Sequence, residues 1–287
     1  MSSSAFPHFE LSLDSLKALY RRAPYSFNAL SAFIASYLVN TAYVDYQKFM
    51  RIGRGGLLPY NVLGWAISLL MRPFTLSRQR MIDADGLPPP YKRDAALSSL
   101  PKRKGGRPQV YGLAPQRQLN QKSEKQKEYT SILNAHLDSL VSEHASAIQT
   151  GPSALEGGSV PALFSIDPAR RSPLSYQYVS GTSHSEFAHI HGYDGSLHLT
   201  MSPADARLVI TQGWGQLHSL SGIGYRGFWM PKFLRNWGPY PSSSNPGKGG
   251  RLPPTYTFIY SPRNEEEIET IKSLILAAAK FSAGIVV

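Results

Sequence analysis

The sequence predicts an α+β fold: a mostly antiparallel sheet with packed helices, preceded by N-terminal hydrophobic helices. Short runs rich in β-branched and aromatic residues, separated by turn residues, begin at residue 159 and are typical of antiparallel strands. Two segments with helix-capping residues interrupt these runs. Nearer the N-terminus, residues 23–44 carry no formal charge, which is typical of a hydrophobic helix. At 287 residues the chain can form one large hydrophobic core or two small ones.

The N-terminal third contains two uncharged, largely apolar stretches. In the first, 27–44, thirteen of eighteen residues are apolar, and its length is close to that of a bilayer span. The second, 55–71, predicts a helix that begins near Asn61 and ends at Arg72. We therefore predict that residues 1–75 form a helical, membrane-associated region of an endomembrane protein, with 27–44 as a candidate single-pass span and the membrane surface as a partner. The alternative for 27–44 is a buried helix.

Residues 76–120 form a second predicted region, a basic strap rich in Pro and Gly. Between 92 and 128 there are ten basic and three acidic residues, so this stretch carries +7 of the formal net charge of +11. Only Tyr91 and Tyr111 are interspersed with this charge, whereas a nucleic-acid-binding surface usually interleaves basic residues with several aromatic ones. We interpret the strap as a solvated surface segment and predict no nucleic-acid partner.

The remainder, 121–287, is predicted to be the α+β catalytic domain. Apolar residues recur at helical spacing over 120–148, and the Gly-rich stretch 151–158 marks the boundary to the sheet. Strands are predicted at 160–166, 174–179, 186–191, 197–201 and 255–260. Ser202 and Asn264 are predicted to cap the two helices that interrupt and follow these strands.

The chemistry open to this chain is restricted because it contains no cysteine. Disulfides, thiolate nucleophiles and Cys-ligated metal centres are excluded, so a reactive site needs His, carboxylate, Tyr or Ser side chains. Five of the eight histidines lie between His184 and His218. This concentration of imidazoles is the candidate site.

Three of these histidines are predicted to converge. Residues two apart on a strand share a face, so His189 and His191 project together. A hairpin through 192–195 then brings His198 back beside them. His218, which follows the next helix, is a fourth candidate.

Such a cluster has more than one interpretation. It fits a metal site in which Glu186 or Asp194 supplies an oxygen ligand, although Glu186 lies on the opposite face unless the strand contains a bulge. It equally fits metal-free acid–base catalysis, in which one imidazole removes a proton and another stabilises the anion. The third possibility is that the histidines are only structural.

Six longer motifs occur together in this chain, and their combination is specific. The second half of the chain contains EFAHIHGYDGSLHL, GWGQLHSLSG and TYTFIYSPRNEEEIETIK, and the first half contains DYQKFMRIGRGG, LPKRKGGRPQV and APQRQLNQK. Together they resemble the fungal luciferase family over most of the chain from about residue 39. The resemblance implies an N-terminal anchor and a soluble catalytic domain. It also implies addition of dioxygen to a 3-hydroxy-2-pyrone, with loss of carbon dioxide and without flavin or an established metal.

Roles follow for ten residues that lie in or beside these motifs. The predicted catalytic set is His189, His191, His198, His218 and Arg263. The predicted substrate-binding set is Glu186, Tyr193, Asp194, Trp214 and Tyr260. We predict no cofactor, with molecular oxygen as the co-substrate and a small polyketide or 2-pyrone as the substrate. If a metal is present, its predicted ligands are His189, His191 and His198.

The predicted function is cofactor-independent oxygenation of a polyketide or 2-pyrone metabolite by a histidine cluster acting as acid and base. The alternatives are a His-ligated metalloenzyme that catalyses hydrolysis or isomerisation, and a non-enzymatic, membrane-associated binding module. The turn in HIHGYDGSLH is one residue shorter than in the luminous enzymes of the family, and Ser219 stands where a proline is usual, so we expect a non-luminous relative. The aromatic segment 223–252 is expected to form a lid, a membrane dock or a surface loop.

Overall fold

A computed structural model describes residues 12–89, 94–179, 185–222 and 252–286. They belong to two units, one up to Gln47 and one from Lys48. The aromatic segment predicted at 223–252 lies outside the described residues, except for Leu252.

Two helices make up the N-terminal unit. Helix α1, Leu13–Arg22, begins at Ser12, whose hydroxyl accepts a hydrogen bond from the Ser15 backbone N–H at 3.1 Å. Helix α2, Pro24–Arg51, continues into the second unit. The helical nature predicted for this part of the chain is thus present.

The membrane prediction for the same region fails. In the described part of the chain, no helix is both long enough and apolar enough to cross a membrane. The predicted endomembrane location, with its candidate span at 27–44, is therefore wrong. Five polar residues dilute the apolar ones there, namely Asn28, Ser31, Ser36, Asn40 and Thr41. The hydrophobic character predicted for the N-terminal helices is likewise not confirmed, and the described residues give no support to a membrane surface as a partner.

The second unit opens with short helices. Helix α3, Val62–Met71, is capped as predicted by Asn61, whose side-chain oxygen accepts hydrogen bonds from two backbone N–H groups at 3.0 and 3.2 Å. A turn of 3-10 helix, Arg72–Phe74, follows it because Pro73 cannot continue the α-helical hydrogen bonding. Helix α4 spans Arg78–Met81.

The basic strap contains regular structure and buried charge. Strands β1, Val110–Gly112, and β2, Gln116–Gln118, pair as an antiparallel hairpin. Arg103 and Arg117 are only 4% and 2% exposed, and each forms an ion pair with a buried carboxylate. The interpretation of the whole strap as a solvated segment is therefore wrong, because part of its charge is neutralised inside the protein.

Among the described residues, six strands form one antiparallel sheet in the order β3-β4-β5-β6-β8-β7. Their bounds are Ile148–Pro152 for β3, Pro161–Ser165 for β4, Glu186–Ile190 for β5, Leu197–Thr200 for β6, Gly215–Leu217 for β7 and Tyr256–Ile259 for β8. The prediction of a mostly antiparallel sheet is confirmed.

One predicted strand is a helix. Residues 174–179, predicted as a strand, belong to helix α6, Pro173–Val179. Pro173 suits the first helical position, and the Ser172 hydroxyl accepts a hydrogen bond from the backbone N–H of Ser175 at 3.2 Å. These start signals outweigh the aromatic content that favoured a strand.

Three helices cover one face of the sheet: α5, Gln126–Glu143; α7, Pro203–Thr211; and α8, Glu265–Ala283. Ser202 and Asn264 cap the last two as predicted, and each side chain accepts a hydrogen bond from the backbone N–H three residues later, at 3.1 and 2.9 Å. The buried core between helices and sheet includes Leu133, Ala188, Ile190, Leu197, Leu199, Ile259, Ile271 and Leu274. The prediction of packed helices is confirmed.

The opposite face of the sheet carries polar and aromatic side chains. His189 on β5 pairs with His198 on β6, which pairs with Phe258 on β8, and Phe258 pairs with Gln216 on β7. Because side chains of directly paired residues point to the same face, these four form a row across the sheet.

Candidate active site

Four histidines meet on this face of the sheet. The ring centroids of His189 and His198 are 5.1 Å apart, and the His191 ring lies 5.2 Å from the first and 4.8 Å from the second. His218, which follows β7, lies 4.9 Å from His198. All four side chains are buried. The hairpin predicted to bring His198 back beside the other two is present.

A β-bulge adds Glu186 to the cluster. The register between β4 and β5 shifts between Leu163 and Phe164, which is the irregularity that the sequence required. As a result, the Glu186 carboxylate lies 2.7 Å from Nδ1 of His189. Because an ionised carboxylate can only accept, this contact places a proton on Nδ1, so Nε2 is the nitrogen that carries the lone pair when the ring is neutral.

His191 is oriented by a similar relay. Its Nδ1 lies 2.8 Å from the Ser196 hydroxyl, which in turn lies 2.7 Å from a carboxylate oxygen of Asp194. Asp194 also accepts a hydrogen bond from the Gln118 backbone N–H at 2.6 Å. Since the Ser196 hydroxyl donates to Asp194, His191 donates from Nδ1 and again keeps a lone pair on Nε2.

A carboxylate that the sequence analysis missed completes the cluster. Glu156, in the loop between β3 and β4, has Oε1 at 3.7 Å from Nε2 of His189 and 3.6 Å from Nε2 of His191. The Arg117 guanidinium forms a buried ion pair with the same carboxylate. Glu156 is therefore held between a guanidinium on one side and two imidazoles on the other.

Glu156 and Arg117 were hidden by their surroundings in the sequence. The glycines of 151–158 indicate a domain boundary, and Arg117 lies in the predicted basic strap. A signal was nevertheless present, since Glu156 is the only formally charged residue in 145–166. An isolated carboxylate in a long uncharged stretch indicates a specific partner.

Three of the histidine nitrogens point inward without partners. Nε2 of His189, Nε2 of His191 and Nδ1 of His198 are buried and have no hydrogen-bond partner. One ring nitrogen of each of these histidines and a carboxylate oxygen of Glu156 all lie within 4.8 Å of one another. The four side chains could therefore hold one metal ion.

The electrostatics of the cluster favour a charged Glu156. Burial opposes its ionisation, but the nearby His189 imidazole and the charges of His191 and Arg117 outweigh burial and hold the pKa of Glu156 well below its usual value. Burial also lowers the pKa of His189, yet the flanking carboxylates of Glu156 and Glu186 raise it to about 9.

The pKa values of the other three histidines are lowered. Burial, with the Arg117 charge, lowers the pKa of His191 to about 4. Burial and the neighbouring histidines hold the pKa of His198 well below its usual value, and burial lowers that of His218 to about 3. These three imidazoles are therefore neutral at physiological pH.

The sequence identifies the relatives of this site. A sequence model of the family described as Luciferase domain matches residues 184–278, which include all four histidines of the cluster. A protein named Luciferase from Armillaria gallica is 31% identical over 264 residues, covering 85% of this chain and 84% of that protein. The chain belongs to the fungal luciferase family. A second protein named Luciferase, from Neonothopanus nambi, is 27% identical over 239 residues, covering 82% of this chain and 78% of that protein. No solved structure matches the chain.

Two aromatic residues predicted to bind substrate in this luciferase-family chain lie outside the cluster. The Tyr260 ring contacts Phe258, at 6.1 Å between centroids, and it is Phe258 that packs against His198, at 5.3 Å. The Trp214 indole N–H donates to the Pro101 carbonyl at 2.6 Å, and its ring is part of the helix-side core. Neither has a direct contact with a histidine among the contacts that the described residues make.

The remaining two predicted residues lie near the protein surface. Tyr193, in the turn after β5, is 51% exposed, and its ring lies 4.6 Å from the Lys122 ammonium. Arg263 precedes α8, where its guanidinium pairs with Glu267 and donates to the Lys104 carbonyl at 2.7 Å. The structure thus brings together six of the ten predicted residues, with Glu186 and Asp194 behind the histidines.

A small cavity opens onto the cluster. Its polar lining includes Glu156, His198 and His218, and its apolar lining consists of Leu113, Ala114, Leu155, Leu220, Leu252 and Tyr256. The volume open to the centre of a water molecule is about 20 Å³, which is enough for one water molecule or ion.

Gly55 supports the ion pair beside this cavity. A Cβ atom at this position would lie 2.9 Å from a guanidinium nitrogen of Arg117 and 3.2 Å from a carboxylate oxygen of Glu156, and the backbone φ is +129°. We expect Gly55→Ala to lower the free energy of unfolding by about 1–3 kcal/mol, measured by urea denaturation. The matched control is Gly106→Ala, since no atom lies within 4 Å of a Cβ there. Equal effects of the two changes would contradict this packing.

Proposed function

We propose that this chain is a luciferase-like oxygenase that adds dioxygen to a small enol, of which a 3-hydroxy-2-pyrone is an example, at the cluster of Glu156, His189, His191 and His198. The observation that carries the proposal is the convergence of three buried imidazole nitrogens without partners beside an ionised carboxylate. The relatives named Luciferase support oxygen as the co-substrate.

The energetics of the cluster support a role other than stability. A buried polar atom without a hydrogen-bond partner costs about 1–3 kcal/mol. Nε2 of His189 faces the Glu156 carboxylate at 3.7 Å, so the uncompensated atoms are Nε2 of His191 and Nδ1 of His198. These two oppose folding by a few kcal/mol, whereas apolar side chains of similar volume would avoid that cost. Strongly shifted pKa values gathered in one cavity are also typical of functional sites.

The lining of the cavity has the composition of a small-molecule site, although its volume in this structure admits only one water molecule or ion. One wall is apolar and includes Leu113 and Leu220, while His198 and His218 line the cavity from the sheet side. The Tyr256 ring stacks on His198 with its centroid at 4.9 Å and an interplanar angle of 17°. An apolar wall with a few convergent polar groups is the usual composition of a small-molecule site.

The proposed reaction balances without an external reductant. The enol carbon supplies the electron pair of the new carbon–oxygen bond, dioxygen is reduced to the peroxide level, and the enol proton ends on the outer peroxide oxygen. Both atoms of dioxygen are therefore in the first product. The chain's contribution is to bind the enol, hold its proton during transfer and exclude water.

Acid–base catalysis by one histidine alone is the less favoured form of this mechanism. A general base works best when its pKa is near the working pH. His191, with a pKa of about 4, is a weak base. His189, with a pKa of about 9, is already the protonated imidazolium at neutral pH. The geometry favours joint action of the inward-facing nitrogens over a single base.

Oxygen uptake tests the proposal. We expect the purified full chain to consume oxygen when given a 3-hydroxy-2-pyrone, and His198→Gln to lower the rate by about 10²-fold or more. The matched control is His144→Gln, because His144 lies at the end of α5, away from the cluster. If the two variants, both folded by circular dichroism, consume oxygen at equal rates, the cluster is not the reaction site.

A further inference from the structure

We infer that Glu156, His189, His191 and His198 bind one divalent transition-metal ion through a carboxylate oxygen and three imidazole nitrogens. The donors are a carboxylate oxygen of Glu156 and one ring nitrogen of each histidine, and the buried nitrogens without a hydrogen-bond partner are Nε2 of His189, Nε2 of His191 and Nδ1 of His198. When the ion displaces the second proton of His189, three imidazole nitrogens and one carboxylate form a ligand set suited to Fe²⁺, Mn²⁺ or Zn²⁺.

The outer contacts of the histidines prepare them as ligands. A metal-bound imidazole usually donates its other N–H to a carboxylate, a carbonyl or another oxygen, which fixes its tautomer and its direction. His189 donates to Glu186 at 2.7 Å, and His191 donates to Ser196 at 2.8 Å. Both contacts leave the inward nitrogen as the one with the lone pair.

Glu186 also fixes the loop that carries the fourth ligand. Its carboxylate accepts hydrogen bonds from the Ser153 hydroxyl at 2.7 Å and from the Ala154 backbone N–H at 2.9 Å. The Ser153 hydroxyl in turn accepts from the Glu156 backbone N–H at 3.1 Å. One buried carboxylate thus orients both a histidine on β5 and the loop that presents Glu156.

Two of the donor–donor distances are close to those expected around a single ion. Ligand atoms about 2.1 Å from a tetrahedral ion are separated from one another by about 3.4 Å. Oε1 of Glu156 lies 3.7 and 3.6 Å from the nitrogens of His189 and His191. Arg117 donates to both carboxylate oxygens of Glu156, and Oε1 is the one that also faces the two histidines.

The choice of ion rests on the proposed function, whereas the site itself does not. Reduction of dioxygen by an enol is aided by an ion that changes oxidation state, so Fe²⁺ or Mn²⁺ would serve the oxygenase and Zn²⁺ would not. The competing occupant is a proton shared between His189 and Glu156, which needs no metal.

Metal content and a spectroscopic probe test the inference. The full chain is purified without a polyhistidine tag and loaded anaerobically with Fe²⁺. It is expected to keep about one ion per chain after gel filtration, measured by inductively coupled plasma mass spectrometry. Co²⁺ in place of Fe²⁺ is expected to give visible absorption bands of a nitrogen- and oxygen-ligated ion. His189→Gln and Glu156→Asp are expected to lower the bound metal by about tenfold or more, as changes at metal ligands do. His144→Gln is expected to bind like the unchanged chain.

The outcomes separate the site from the function. A folded chain that keeps no ion after loading, or variants that bind as well as the unchanged chain, would overturn the inference even if oxygen uptake persists. If the unchanged chain binds the ion and the variants do not, but no 3-hydroxy-2-pyrone leads to oxygen uptake, the metal site stands and the proposed function is rejected. To exclude misfolding as the cause of a lost ion, each variant's thermal midpoint is measured with and without Co²⁺, and only the unchanged chain and His144→Gln are expected to show an increase.

Discussion

Glu156→Gln is expected to lower the rate of oxygen uptake by about 10²-fold or more. The amide retains an oxygen that can accept a hydrogen bond from Arg117, but it removes the negative charge that faces His189 and His191 at 3.7 and 3.6 Å. The rate is measured with an oxygen electrode at saturating pyrone, and folding is checked by circular dichroism.

The control for this change is Glu124→Gln, which removes an exposed carboxylate far along the chain from the cluster. We expect it to leave the rate within about twofold. Glu156→Asp, which keeps the charge on a shorter side chain, is expected to fall between the two. A Glu156→Gln protein that is folded and fully active would show that this carboxylate only neutralises Arg117.

The largest expected effect on stability is at Glu267, in the first turn of α8. Its carboxylate accepts a hydrogen bond from Arg103 at 3.0 Å, and the two side chains are 7% and 2% exposed. Arg263 donates to the same carboxylate. We expect Glu267→Ala to lower the free energy of unfolding by about 3–5 kcal/mol, measured by urea denaturation, because it leaves the Arg103 charge buried without its partner.

Glu265→Ala is the matched control, because Glu265 is also in the first turn of α8 but its side chain is 80% exposed. We expect it to cost about 0.3–1 kcal/mol, the usual contribution of an exposed carboxylate at a helix N-terminus. If the two changes lower the free energy of unfolding by the same amount, the buried ion pair contributes no more than an exposed carboxylate does.

The contribution of Glu267 to the free energy of unfolding depends on pH. Burial raises its pKa, but the hydrogen bonds from Arg263 and Arg103 outweigh burial and lower the pKa below its usual value. A carboxyl whose pKa is lower in the folded state stabilises the protein above its unfolded-state pKa and loses that contribution as the pH falls through the folded-state pKa. The difference in stability between the unchanged chain and Glu267→Ala is therefore expected to narrow in acid. A difference that is constant with pH would contradict this origin.

Much of the sheet and of the histidine cluster could be predicted from local patterns. The alternation of a strand places His189 and His191 together, and the turn 192–195 returns the chain to His198. The helix starts at Ser202 and Asn264 could be identified because capping depends on a few consecutive residues. Each of these features is encoded within about ten residues.

The contacts that complete the site are not local. Glu156 and Arg117 are 39 residues apart in the chain, and neither lies beside the histidines in sequence. Their pairing depends on how the hairpin β1–β2 and the loop between β3 and β4 come together, which no spacing rule describes. The membrane prediction failed for a related reason, since apolar count alone does not measure whether a helix can cross a bilayer.

The most direct test of oxygenation at this cluster is an isotope experiment on the reaction itself. The metal-loaded chain is given a 3-hydroxy-2-pyrone under dioxygen enriched in heavy oxygen, and the products are analysed by mass. Oxygenation at the cluster predicts a product that carries at least one labelled oxygen atom, formed by the unchanged chain and by His144→Gln but not by His198→Gln. A product without label, or equal labelling in His198→Gln, would contradict oxygenation at the Glu156, His189, His191 and His198 cluster.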